Sequence, residues 1–160
     1  MTDRVSRARE DMERGFNCAV SVLSAFAGEF GWSAHQARQV AGAFGGGMGR
    51  SGGTCGAVTG ALMVLGLAYA KTRADDDEAR DRCYAEATAF LRAFEARCGS
   101  VACRTLLGHD VSTPDGYAAA RDAGAFKIVC PAYLQAAVEL LERALPLPEP
   151  PPRHRSGQNR

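Results

Sequence analysis

Residues 45–60 read GGGMGRSGGTCGAVTG, and eight of these sixteen are glycine. No other stretch narrows the fold as much. Gly45 to Gly53 offer few side chains for a helix or strand to pack, so the segment predicts a loop. Gly52, Gly56 and Gly60 then recur every fourth residue, with Ala57 and Ala61 beside them. On a helix this spacing makes a smooth strip that a second backbone can approach closely. Gly47, Gly49 and Gly52 also match G-x-G-x-x-G. A dinucleotide loop needs a preceding strand, however, and residues 33–44 read as helix. The phosphate-binding Gly-Lys-Ser/Thr is missing as well. Arg50, beside a helix start, remains a candidate for a small anion.

The rest of the chain reads as all-α, a compact single-domain bundle of about six to eight helices, because no segment alternates with a two-residue period. Val5, Ala8 and Met12 form a short stripe that ends near Gly15. Asn17 is placed to cap a second helix carrying Cys18, Val22, Phe26 and Phe30, with a stop at Gly31. Ser33 with Gln36 is a capping-box pair for a third, whose inner face is Ala37, Val40, Ala41 and Phe44. Thr54 is expected to cap a fourth, running to about Ala70. Asp75 to Asp77 open a fifth, which carries Cys83, Ala87, Phe90, Leu91 and Phe94 and stops at Gly99 after Cys98. A helical turn fits Cys103 to Leu107, closed by Gly108. Thr113-Pro114 marks another start. A last helix begins near Cys130-Pro131 with Leu134, Ala137, Val138, Leu141 and Leu145 at core spacing.

Apolar residues make up 46% of the 160, enough for one globular domain with its own core. The assigned domain is 1–145. Residues 146–160, PLPEPPPRHRSGQNR, hold five of the seven prolines and read as a flexible tail. With 19 basic and 18 acidic residues, the balance speaks against a nucleic-acid partner. The first fifteen residues lack the apolar core of a secretory signal. The longest apolar run, Ala57 to Ala70, is fourteen residues, short of the roughly twenty a membrane span needs. The expected location is therefore cytoplasmic, with no membrane partner.

In that compartment six cysteines point away from structural disulfides and toward metal, redox or buried thiols. Four of them fall at expected helix N-termini: Cys18, Cys55, Cys103 and Cys130. Amide groups at such ends favour a thiolate and lower the thiol pKa. If the four ends converge, they form an electropositive pocket lined by sulfur, suited to an iron–sulfur cluster, a thiolate-bound metal or exchanging thiols. Burial as small apolar residues is the alternative. The intervals of 37, 48 and 27 residues match no local ferredoxin or zinc-finger spacing, and Cys-x-x-Cys is absent. Cys83 reads as core, and Cys98 could resolve a disulfide at Cys103. His35 and His154 read as exposed, while His109 is the histidine placed to act as an extra ligand or proton donor, with a solvated loop histidine as the alternative.

These residues resemble a known family, C_GCAxxG_C_C, named for its cysteine pattern. The resemblance runs from about Asn17 to Leu141. It rests on FNCAVSVLSAF with Cys18, AFGGGMGRSGGTCGAVTGALMVLG with Cys55, CRTLLG with Cys103, and the late Cys130. It implies a small helical domain with four functional cysteines and redox activity or metal binding. A similar domain occurs in split-Soret cytochromes, where an iron–sulfur cluster has been associated with it. Here the order is Cys-Gly-Ala rather than Gly-Cys-Ala, and Cys83 and Cys98 fall outside the pattern. No haem attachment motif is present.

The expectation is a redox-active protein with Cys18, Cys55, Cys103 and Cys130 as metal and cofactor ligands. The favoured cofactor is a [2Fe–2S] cluster, with zinc or no metal as alternatives. The same four would be the redox thiols of a metal-free thiol–disulfide protein. A non-catalytic helical partner-binding module is the third reading. The partner would be a redox protein of unknown identity, the oligomeric state is open to a homo-oligomer, and an oxidoreductase or electron-carrier role is left undecided.

Overall fold

A computed structural model describes residues 2–145, so the proline-rich stretch 146–160 and its expected flexibility lie outside the described residues. The α-helices are α1 (Asp3–Glu13), α2 (Cys18–Ala27), α3 (Ala34–Ala41), α4 (Gly56–Tyr69), α5 (Asp77–Cys98), α6 (Cys103–Leu107), α7 (Pro114–Asp122), α8 (Ala125–Ile128) and α9 (Cys130–Ala144). Single 3-10 turns, Gly28–Phe30 and Gly42–Phe44, extend α2 and α3. Among the described residues the extended pairing amounts to one antiparallel bridge, Thr54 to Ala102. The fold is all-α, as the missing two-residue period requires.

Local signals set most boundaries. The Asn17 side chain accepts from Val20 N–H, and Ser33 and Gln36 form the reciprocal capping box. Asp76 caps α5, and Gly31, Gly99 and Gly108 close their helices in the left-handed region. Thr113 caps α7 with Pro114 as its first residue. Two expectations need correction. Thr54 does not cap α4; it is taken into the bridge with Ala102, and Cys55 is the capping position. Val40 is 47% exposed, because α3 turns its Ala37 and Ala41 to the core instead. The four-residue α8, entered through left-handed Gly124, is too short to show a helical period.

The glycine-striped α4 packs against α2, α5 and α9, while α1 lies on α2 and α9. Phe26, Leu23, Leu65, Phe94, Leu134 and Leu141 are fully buried between them. Burying each side chain of this size contributes about 1.5–3 kcal/mol. A second, smaller cluster gathers Cys103, Leu107, Val111, Ala120 and Ala125 under Tyr117 and Phe126. Cys55 belongs to the main core, with Cys18 packed against it; Cys103 belongs to the second cluster, with Cys130 packed against that. The seam between two apolar clusters is thus where four cysteines meet. No single helix among the described residues is long and apolar enough to cross a membrane.

Candidate functional site

Each of the four cysteines stands where a helix begins. Cys18, Cys103 and Cys130 are the first residues of α2, α6 and α9, and Cys55 directly precedes α4. Asn17 secures the first mount twice: Oδ1 accepts from Val20 N–H at 3.1 Å, and Nδ2 donates to the Gly42 carbonyl at 3.0 Å. Cys55 and Cys103 are fixed to each other's segments by backbone. Cys55 N–H donates to Val101 O at 2.8 Å, and Cys103 N–H to Gly53 O at 2.6 Å. Arg104 tightens this join, donating to the carbonyls of Ser51 at 2.8 Å and Gly52 at 3.3 Å.

The glycines act through the space they leave. A Cβ on Gly56 would sit 3.2 Å from Cys18 Cβ, and one on Gly60 would sit 2.6 Å from Ala19 O. α4 therefore lies backbone to backbone on α2, which brings the segment of Cys55 to that of Cys18. A Cβ on Gly47 would sit 2.7 Å from Cys103 Cβ, so the loop also packs directly on the third cysteine. From Gly46 to Arg50 every residue has positive φ, including Met48 and Arg50 at 65°. For residues with side chains this region costs about 1–2 kcal/mol each. The turn is held by Gly49 N–H to Ala43 O at 2.7 Å, and by Arg50, whose guanidinium lies 4.0 Å over the Tyr117 ring.

Cys18, Cys55, Cys103 and Cys130 all line one cavity of about 1440 Å³. Their ionisation is mutually dependent. Cys18 donates a side-chain hydrogen bond to Cys130, which holds the Cys18 proton in place and, with burial and the three neighbouring sulfurs, pushes its pKa up. The same bond favours the Cys130 thiolate and pulls that pKa down against burial. Burial pushes Cys55 up to about 12, although Ala57 and Val58 N–H groups work in the opposite direction. Burial, and then Cys130, push Cys103 up to about 11. The expectation that helix ends lower these thiols therefore fails at Cys18, Cys55 and Cys103, most plainly at Cys55. Its amides do point at the sulfur, but losing water costs the thiolate more than two N–H groups return.

The remaining candidates are not brought into the cavity. Cys98 packs against the main core, and Cys83 is half-buried without belonging to either cluster. Among the described residues, His109 does not line the cavity and His35 is exposed. Tyr133, by contrast, was not anticipated. It interacts with Cys55, Cys98 and Cys130, and its hydroxyl donates to Leu106 O at 3.1 Å, tying α9 to α6. Its position three residues after Cys130, on the same helical face, is the signal that could have found it. Among the described residues, no group of three or more His, Cys, Asp or Glu side chains is placed to hold a metal ion.

No curated protein and no solved structure matches the chain. The family model described as "Putative redox-active protein (C_GCAxxG_C_C)" matches residues 16–144, which include all four cavity cysteines. The chain belongs to the C_GCAxxG_C_C family.

Proposed function

We propose that this is an electron-transfer or redox-sensing protein whose centre is a [2Fe–2S] cluster held by Cys18, Cys55, Cys103 and Cys130. The observation that carries the reading is that four distant segments each deliver one sulfur to a single cavity. Thiol–disulfide exchange needs two sulfurs. Here the strained loop and the closely packed glycines serve to bring in Cys55 and Cys103 as well. Those two thiols, buried and protonated at neutral pH, are poor nucleophiles.

A [2Fe–2S] cluster divides four thiolates between two irons, which suits four sulfurs distributed around one cavity. Such a cluster supplies one-electron transfer. The chain's own part is to desolvate Cys55, to direct the Ala57 and Val58 amides at it, and to place the Arg50 charge at the cavity wall. Loading would require the buried thiols to release their protons.

A second reading is favoured by the Cys18–Cys130 contact. Without metal, these thiols would join as a disulfide, releasing two protons and passing two electrons to an external disulfide, itself reduced to two thiols. Anaerobic reconstitution separates the two. Two irons and two sulfides per chain, with visible absorption lost in each Cys→Ser variant, support the cluster. Colourless protein that forms a Cys18–Cys130 disulfide on mild oxidation supports the dithiol and overturns the cluster.

A further inference from the structure

The sulfur cavity, at about 1440 Å³, exceeds the roughly 300–1,000 Å³ typical of small-ligand sites. Its charged lining is uneven. Arg9, Arg50, Arg97 and Lys127 face it, against Glu13 as the acidic lining residue. Arg97 is neutralised by Glu139 at 2.5 Å. The other three cations have no carboxylate partner among the described residues. Arg9 donates to the Gln135 amide oxygen at 2.7 Å, while its Nε is buried with no acceptor. Arg50 lies on the Tyr117 ring. In a chain with 19 basic and 18 acidic residues, three uncompensated cations at one cavity are a local excess rather than a global one. Phe16, Phe126 and Ile128 add apolar surface to the same lining, and Ile128 is 74% exposed.

We propose that this cavity binds a small anionic sulfur compound, a carboxylate-bearing thiol or disulfide, with its carboxylates on Arg9, Arg50 and Lys127 and its sulfur toward the cysteines. The inference rests on the metal-free dithiol reading, in which Cys18 and Cys130 keep free sulfurs for such a molecule to meet. Arginine and lysine together suit two carboxylates on one ligand, because a guanidinium fork and a point charge can each take one.

The test is calorimetric titration with S-methylglutathione, which carries two carboxylates and a blocked, unreactive sulfur. Its dimethyl ester serves as the charge control, and a polyglutamate peptide represents an acidic protein surface. The expected result is saturable binding of the tripeptide, at least tenfold weaker for the ester, for Arg50→Gln/Lys127→Gln and in high salt. Arg9→Gln provides an independent variant on a different helix, and circular dichroism checks that each variant folds. No saturable binding, equal binding of the ester, or preferential binding of polyglutamate overturns the inference. Iron and sulfide content, together with disulfide formation, measured on the same samples, report on the redox reading separately. Binding with neither property keeps the site and removes the redox centre.

Discussion

The carbonyl oxygen of Ala19 lies 2.6 Å from the point a Cβ on Gly60 would occupy. That approach sets α4 against α2 and the Cys55 segment against Cys18. Gly60→Ala would force the backbones apart and cost about 1–3 kcal/mol, as overpacking does. Gly66, in the same helix, meets nothing within 4 Å, so Gly66→Ala should stabilise by about 0.5–1 kcal/mol. Urea unfolding of the two variants should show opposite signs; equal effects would mean that close approach is not what the glycine provides.

Thiol labelling of metal-free protein should follow the cavity's hydrogen bonding. Cys130 should react with iodoacetamide first, with a midpoint below the ordinary thiol value of 9.0, because Cys18 donates to its thiolate. Cys18→Ala removes the donor and should move that midpoint upward. Cys103 and Cys55 should label only as pH approaches about 11 and about 12. Site-resolved mass spectrometry after timed alkylation gives all the midpoints; uniform reactivity would contradict the contact.

The same shifts make metal-free protein sensitive to alkali. Cys55 and Cys103 have folded pKa values raised above an unfolded value of about 8.5. Their contribution to stability is then fully present below about pH 8.5 and is lost as pH rises toward about 11 and 12. The melting temperature should fall through that window, and Cys55→Ala should flatten the fall. A wild-type curve that stays level to pH 11 would rule out buried neutral thiols.

Arg104 joins the glycine loop to α6 through the Ser51 and Gly52 carbonyls. Its side chain is 52% exposed, so solvent discounts the charge and Arg104→Ala should cost only about 1 kcal/mol. The local effect should be larger than the global one. Amide exchange at Cys55 and Cys103, whose N–H groups bond across this join, should accelerate more than exchange in α2.

Asn17→Ala removes an N-cap and a bond to Gly42 O, and should cost about 1 kcal/mol. Asn17→Asp keeps the cap acceptor and loses the donor to Gly42. It should recover most of the stability while leaving the glycine loop less protected from hydrogen exchange. If Asn17→Asp is as damaging as Asn17→Ala, the link to Gly42 dominates over capping.

Where helix ends carry their own chemistry, the chain is readable. Asn17, the Ser33–Gln36 pair, Gly99, Gly108 and Pro114 act on groups within a few residues, and all do what their positions imply. Cys18 and Cys130 were legible at helix starts for the same reason, beside Asn17 and Pro131, whereas no side chain caps the helices at Cys55 and Cys103. Thr54 and Val40 were not, because the bridge to Ala102 and the face α3 turns inward depend on distant segments. Tyr133 was missed because its neighbours Cys55 and Cys98 come from other helices.

By itself the sequence determined an all-helical chain, its caps, and which sulfurs sit at helix starts, because those are local preferences of backbone and side chain. Only the tertiary structure decided how those sulfurs behave. Burial between two apolar clusters raises Cys55 and Cys103 despite their helix ends, and contact makes Cys130 differ from Cys18. The physical reason is desolvation: helix-end amides are written in the chain, but how much water a sulfur keeps depends on what packs against it.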